Sequence, residues 1–175
     1  AEKLVQKYGQ APSQFMNLMG MRVHYRDEGN RNDTVPLVLI HGTSSSLFTW
    51  DSTALLLGPL RRIIRFDLPG FALTGPHPQR DYSMNMYIRF VDSVLLRLGV
   101  RHCVIAGNSL GGAIAWRYAV GYPTKVNKLV LVDAGGYIPK EKIDLPLGFR
   151  LAKMPVVNNV VKWITPKQLV RKSVE

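Results

Sequence analysis

The stretch Gly107-Asn108-Ser109-Leu110-Gly111-Gly112 constrains this chain more than any other. It follows a short apolar run, Cys103-Val104-Ile105-Ala106, and opens a segment, Ala113 to Val120, that reads as a buried helix. A serine with glycine two residues to either side, set between a strand and a helix, marks a very sharp turn. The requirement is steric. The backbone near positions 107 and 111 comes too close to its neighbours to leave room for Cβ atoms. The product is a hydroxyl held clear of a sheet at a helix N-terminus, where the helix dipole favours developing negative charge.

Two other apolar runs end in loops of marked character. Val35-Pro36-Leu37-Val38-Leu39-Ile40 runs into His41-Gly42-Thr43, and Arg62-Ile63-Ile64-Arg65-Phe66-Asp67 runs into Leu68-Pro69-Gly70-Phe71. Together with the serine turn these resemble three motifs of the α/β-hydrolase family, in the family's order: the His-Gly oxyanion loop, the Asp-x-Pro-Gly-Phe/Tyr-Gly turn, and the nucleophile elbow Gly-x-Ser-x-Gly. Ala72 stands where the second motif usually has glycine. The resemblance extends from Gln14 to the end of the chain and points to the capped carboxylesterase and lipase-like branch. It implies an α/β fold, a mostly parallel sheet with helices on both faces and the start of a helical cap.

Patterning along the chain agrees with that architecture. Residues 15–19 and 21–28 read as a hairpin joined at Gly20, with Met21, Val23 and Tyr25 alternating against Arg22, His24 and Arg26. Residues 47–60 read as a helix closed by Gly58-Pro59. Ser83 can cap a helix whose apolar positions, from Tyr87 to Leu98, keep helical spacing until Gly99. Lys128 to Val132 reads as the next strand. Strands alternating with helices imply a parallel sheet covered on both faces. After Asp133 the pattern breaks at Gly135-Gly136, and prolines recur among short helical stretches, the last opened by Thr165-Pro166-Lys167-Gln168. The expected division is residues 1–134 as the N-terminal part of the hydrolase core and 135–175 as the beginning of the cap. The sequence supplies six strands where the family has eight. The rest of the core is expected from a second polypeptide or a remainder of the same protein, which would complete the sheet and the catalytic triad.

Charge narrows the partners. The net charge is +11, and residues 140–175 hold eight Lys/Arg against three Asp/Glu, while the first 139 residues hold fifteen against nine. The excess is densest in the last fifth of the chain, but there it is interleaved with Leu147, Phe149, Leu151, Val156 and Trp163. That is the pattern of a solvated face on an amphipathic layer, not of a nucleic-acid surface. Contact with an anionic membrane surface is the minority reading. No run is long enough to cross a bilayer as a helix. The chain does not begin with methionine, so cytoplasmic, periplasmic and anchored locations all stay open. Cys103, the single cysteine, can form no intrachain disulfide.

The resemblance assigns roles at the site. Ser109 is the expected nucleophile, which attacks an acyl carbonyl and carries the acyl group. Serine at this position sets the chain apart from relatives that use aspartate or cysteine there. Two backbone N–H groups, those of Leu110 and Thr43, are the expected oxyanion donors, with Ser44 as the fallback if the loop is shifted by one. His41, Gly42 and Asn108 are expected around the substrate, His41 also shaping its loop. Phe48 and Trp50 read as packing, and Leu147, Phe149, Met154 and Trp163 as either acyl-pocket lining or lid core. None of the four histidines fits the family's catalytic base: His24 falls on the polar face of an early strand, His41 in its loop, His77 in a loop with nothing to fix it beside the serine, and His102 at the far end of its strand. Asp133 is a low-ranking acid, since most of the family uses a later strand. The acid and the histidine are therefore expected outside this chain. No metal or cofactor is implied, for want of a ligand cluster or a phosphate loop.

The expected function is a serine hydrolase cleaving carboxylic esters. Its rivals are a carbon–carbon bond hydrolase of ring-cleavage products, whose elbows also read Gly-Asn-Ser-x-Gly-Gly, and a non-catalytic hydrolase-fold receptor or scaffold.

Overall fold

A computed structural model describes residues 2–136 of the chain. The expected cap residues from Tyr137 onward, its candidate lining side chains and the helix opened by Thr165 lie outside the described residues. Among the described residues six strands form one sheet: β1 (Gln14–Leu18), β2 (Met21–Gly29), β3 (Leu37–Ile40), β4 (Arg62–Phe66), β5 (Cys103–Asn108) and β6 (Val126–Val132). Their spatial order is β1-β2-β4-β3-β5-β6. β1 and β2 form the anticipated hairpin, and β2 pairs antiparallel with β4. The four strands from β3 to β6 run parallel, Ile40 standing level with Gly107 and Phe66, and Asn108 level with Val132. The mixed, mostly parallel sheet matches the architecture read from the sequence.

Among the described residues four α-helices accompany it: α1 (Glu2–Tyr8), α2 (Asp51–Leu57), α3 (Met84–Arg97) and α4 (Leu110–Gly121). α3 begins where Ser83 Oγ accepts the Met86 N–H at 3.2 Å, as its capping position predicts. Its inward stripe of Met86, Tyr87, Phe90, Val91, Val94 and Leu95 packs with Ile114 and Tyr118 of α4 against Val38, Ile40, Ile64, Phe66 and Ile105 of the sheet. α2 covers the opposite face, setting Ala54 against Leu37, Leu39, Ile63 and Ala106. Burial on both faces explains why β3 is apolar at all four positions.

Three elements differ from the sequence reading. The expected helix over 47–60 is a 3-10 turn at Leu47–Trp50 followed by α2, because Ser46 caps the first segment and Asp51 begins the second. α1 was not anticipated: it buries none of its residues, so it carries no strong apolar stripe to read. His24 is fully buried, not on a polar face. The alternation of β2 holds over Met21–Val23 and then breaks, because β2 runs inside the sheet between β1 and β4.

The order of connections positions the site. From β3 the chain crosses through α2 to β4 on one side, then returns through α3 to β5 on the other side. The carboxyl ends of β3 and β5 therefore diverge into a crevice, the place where open α/β sheets bind ligands. At the far edge, β6 pairs only with β5 among the described residues, and Leu129, Val130, Leu131 and Val132 are 39–47% exposed.

Candidate active site

The turn after β5 is as tight as its glycines imply. Ser109 adopts φ 51° and ψ −112°, a conformation that side-chain-bearing residues rarely hold. A Cβ on Gly107 would lie 2.2 Å from the Gly111 carbonyl oxygen, and one on Gly111 would lie 2.3 Å from the Ile40 oxygen. Neither position could carry any other residue without moving backbone. The turn is closed by β6 and the segment after it: the Ser109 N–H donates to the Val132 carbonyl at 3.0 Å, and the Ser109 carbonyl accepts the Gly135 N–H at 3.1 Å. Ser109 itself is exposed, and Leu110 is the first residue of α4, where N–H groups have no intrahelical acceptor.

The loop after β3 lies directly against this serine. A Cβ on Gly42 would come within 3.2 Å of Ser109 Cβ and 2.8 Å of Asn108 Oδ1. Glycine at position 42 is what lets the two loops touch. Asn108 also extends its amide towards the Val132 carbonyl, at 3.4 Å, so it bridges the ends of β3 and β6 across the elbow.

His41 sets the direction of that loop. Its ring is wholly buried, and both nitrogens are engaged: Nδ1 donates to its neighbour's carbonyl, Gly42 O, at 2.7 Å, while Nε2 accepts the Leu68 N–H at 2.9 Å. Burial holds the imidazole below its ordinary pKa, with the Gly42 carbonyl and Asp67 pulling weakly the other way. The ring is therefore neutral and single in its tautomer. Because the peptide joining Gly42 to Thr43 is planar and trans, holding the Gly42 carbonyl towards the ring turns the Thr43 N–H away from it. That N–H makes no hydrogen bond among the described residues, and Thr43 is exposed. The expectation that His41 touches substrate is corrected here: no polar ring atom is free, and the side chain is a strut.

The other histidines have partners of their own. His77 is buried and held through Nδ1 by the Asp81 N–H at 3.4 Å. His102 is exposed at the start of β5, against the Thr124 carbonyl. Asp133 follows the last residue of β6, exposed and at φ 45°. Val132 stands level with Asn108, so Asp133 and Ser109 leave the sheet side by side.

Two residues to which the sequence reading gave no role at the site hold the loop after β3 in place. Asp67, at the end of β4, is fully buried. Its Oδ1 accepts the Leu47 N–H at 2.8 Å, while Oδ2 accepts the Leu73 N–H at 3.0 Å and lies 2.7 Å from His24 Nδ1. Arg65, 2% exposed, donates to the Leu47 carbonyl at 3.0 Å and to Glu28 at 2.7 Å. Leu47 is thus gripped on both sides of its backbone by buried charge. The one local signal for this was a charged residue inside the apolar run Ile63-Ile64-Arg65-Phe66. The turn that follows β4 keeps Ala72 at φ 45°, which is why glycine suits that position. Among the described residues no group of three His, Cys, Asp or Glu side chains is placed to hold a metal ion, and no helix is long and apolar enough to cross a membrane.

Comparison with known proteins agrees with this geometry. A family model described as alpha/beta hydrolase fold matches residues 25–165. An uncharacterized protein of Mycobacterium tuberculosis is 32% identical over 143 residues, covering 82% of this chain and 40% of its own. A 2-hydroxy-6-oxononadienedioate/2-hydroxy-6-oxononatrienedioate hydrolase of Burkholderia vietnamiensis is 29% identical over 167 residues, covering 88% of this chain and 57% of its own. The crystal structure of a membrane phospholipase A, a bacterial virulence factor, superposes with a TM-score of 0.74 at 26% identity, over 87% of this chain and 51% of that one. The chain therefore spans about half the length of the proteins it matches. With the crevice, the strained serine and the glycine-built contact between its two loops, these matches make the chain a member of the α/β-hydrolase fold family.

Proposed function

We propose that this chain carries the nucleophile half of a serine hydrolase that cleaves carboxylic esters. The observation that supports this most directly is the exposed Ser109 at φ 51°, on the N-terminus of α4, with Gly42 packed against its Cβ. In this reading Ser109 Oγ attacks the ester carbonyl, and the oxyanion is received by the N–H groups of Thr43 and Leu110. The alcohol leaves, and water then releases the acid from the acyl-enzyme. Asn108 and Gly42 border the bound acyl group. Ser44, at φ 57°, is the alternative donor.

The proton of Ser109 must pass to a base. His24 and His41 are tied to other partners, His77 is buried against the Asp81 N–H, and His102 flanks the opposite end of β5 from Ser109, so the base is assigned to a further segment of the protein or to a second polypeptide. The apolar edge of β6 supports the same proposal. An exposed strand with Leu and Val on both faces is an aggregation hazard unless another strand pairs with it. The acid is assigned with the base to that segment, with Asp133 as the second choice. The partner is then a small ester, with no role for nucleic acid and a membrane surface as the lesser alternative.

A second reading has its own support. The Burkholderia relative is named as a 2-hydroxy-6-oxononadienedioate/2-hydroxy-6-oxononatrienedioate hydrolase, and the elbow is compatible with carbon–carbon bond hydrolysis of such a substrate. One experiment separates the readings: full-length protein and its Ser109→Ala variant are labelled with a fluorophosphonate, then assayed on p-nitrophenyl esters and on a vinylogous diketone acid. Ester turnover that Ser109→Ala lowers by about 10⁴-fold or more is expected. Turnover of the diketone acid alone would favour the second reading. Failure of the wild type to take the label would leave a non-catalytic scaffold.

A further inference from the structure

We propose that His24 is a positioning residue for the oxyanion donor Thr43, acting through Asp67. The inference rests on the serine-hydrolase reading and concerns a residue that has no contact with the reacting atoms.

His24 lies on β2, wholly buried, its ring stacked on Phe15 at 5.0 Å between centroids and tilted against Phe48 at 5.9 Å. Its Nδ1 is 2.7 Å from Asp67 Oδ2. A carboxylate only accepts, so the proton sits on Nδ1. Nε2 is buried without a partner among the described residues. An apolar side chain would fill the space between Phe15 and Phe48 without leaving a buried nitrogen unpaired. What the imidazole provides and a hydrocarbon does not is the Nδ1–H to Asp67.

Asp67 converts that bond into loop geometry. The segment carrying Thr43 is suspended between two anchors, the His41 ring and the Leu47 N–H, and both attach to consecutive residues of the turn after β4. His41 Nε2 takes the Leu68 N–H, and Leu47 N–H goes to Asp67 Oδ1. That turn is fixed to β2 at Arg22, whose carbonyl accepts the Gly75 N–H at 3.2 Å, and twice at His24: the Asp67 N–H donates to the His24 carbonyl at 3.0 Å, and the side chains meet. Thr74, a few residues on, receives the His24 N–H at 3.0 Å. Without the Nδ1–H the Asp67 carboxylate has lost one of three donors and rotates towards the other two, Leu47 and Leu73. The Leu47 anchor moves with it. A displacement of about 1 Å in a preorganised donor can cost about 100-fold in rate while substrate binding is hardly changed.

The test compares three substitutions in the full-length protein: His24→Leu, His24→Asn and His24→Gln. The Asn amide reaches the position of Nδ1, whereas the Gln amide reaches that of Nε2. Thermal melting first establishes which variants are folded at the assay temperature. The readouts are KM and kcat on a p-nitrophenyl ester and inhibition by a trifluoromethyl ketone, whose adduct on Ser109 places an oxyanion in the Thr43 site. Expected is a loss of about 10- to 100-fold in kcat and in ketone affinity for Leu and Gln, with KM within about 3-fold, and near-complete rescue by Asn. If Leu does not fold, the contrast between Asn and Gln decides. Equal behaviour of Asn and Gln, or kcat and ketone affinity unchanged in both Leu and Gln, would overturn the proposal. Wild-type protein that resists fluorophosphonate labelling would instead remove the serine-hydrolase reading on which it rests.

Discussion

The two loops that meet at Ser109 are held by different physics. The elbow is held by what its residues lack: hydrogen at Gly107 and Gly111 allows backbone to pass 2.2–2.3 Å from where a Cβ would be. Everything that shapes it lies within a few residues or on the strands beside it. The loop after β3 is held by what distant residues add, through Leu68 on His41, Asp67 on Leu47 and Arg65 on the same residue. The first is steric and local, the second polar and assembled across the sheet. A local device tolerates change elsewhere but no change in itself. An assembled one spreads its dependence over several strands.

Two substitutions sharpen this contrast. Asp67→Ala should have the largest effect on stability, because it strips the acceptor from His24 Nδ1–H, Leu47 N–H and Leu73 N–H at once, all of them in the buried interior. Breaking a buried polar cluster by removing its charged member costs about 3–5 kcal/mol, readable by urea denaturation. A loss below about 1 kcal/mol would mean that the loop after β3 is not assembled from a distance. Gly107→Ala should follow at about 3 kcal/mol, since the clash is with backbone that cannot rotate away. Gly121→Ala is its control: an added Cβ there meets nothing within 4 Å, and the stability should hardly move. Equal stabilities for the two glycine variants would break the steric account of the elbow.

A smaller effect reads the strut itself. His41 in the folded protein is held below its ordinary value of 6.5, burial being the main cause. In the unfolded chain the imidazole takes up a proton as pH falls through about 6.5, and the folded form does so only at lower pH. The contribution of His41 to stability is thus present above that pH and shrinks below it, by up to about 1.4 kcal/mol per pH unit, until the folded pKa is reached. His41→Gln should flatten the dependence of unfolding free energy on pH between about 7 and 5. An unchanged slope would show that His41 protonates as readily folded as unfolded.

The elbow was legible because its rule is written in consecutive residues. Ser109 between glycines, after Cys103–Ala106 and before an apolar helix, allows few other structures. The same holds for α3, whose cap at Ser83 and stripe to Leu95 fall within one segment. His24 was not legible. Its side chain was read as solvent-facing from the alternation of β2, and its partner lies 43 residues away at the end of another strand. The role of His41 was half legible. Its place in the loop was read from the His-Gly pair, but its two hydrogen bonds exclude it from the substrate contacts it was expected to make.

Sequence alone therefore determined the succession of the strands, the helices α3 and α4, the serine at the tightest turn and the glycines around it. Those features obey short-range sterics and side-chain periodicity, which neighbouring residues fully express. Tertiary structure decided which buried charges share a partner, which way the Gly42 carbonyl faces, and that the Thr43 N–H makes no hydrogen bond among the described residues. Such outcomes depend on the strand order β2-β4-β3-β5, because only pairing across the sheet brings Asp67, His24 and Leu47 within hydrogen-bonding distance.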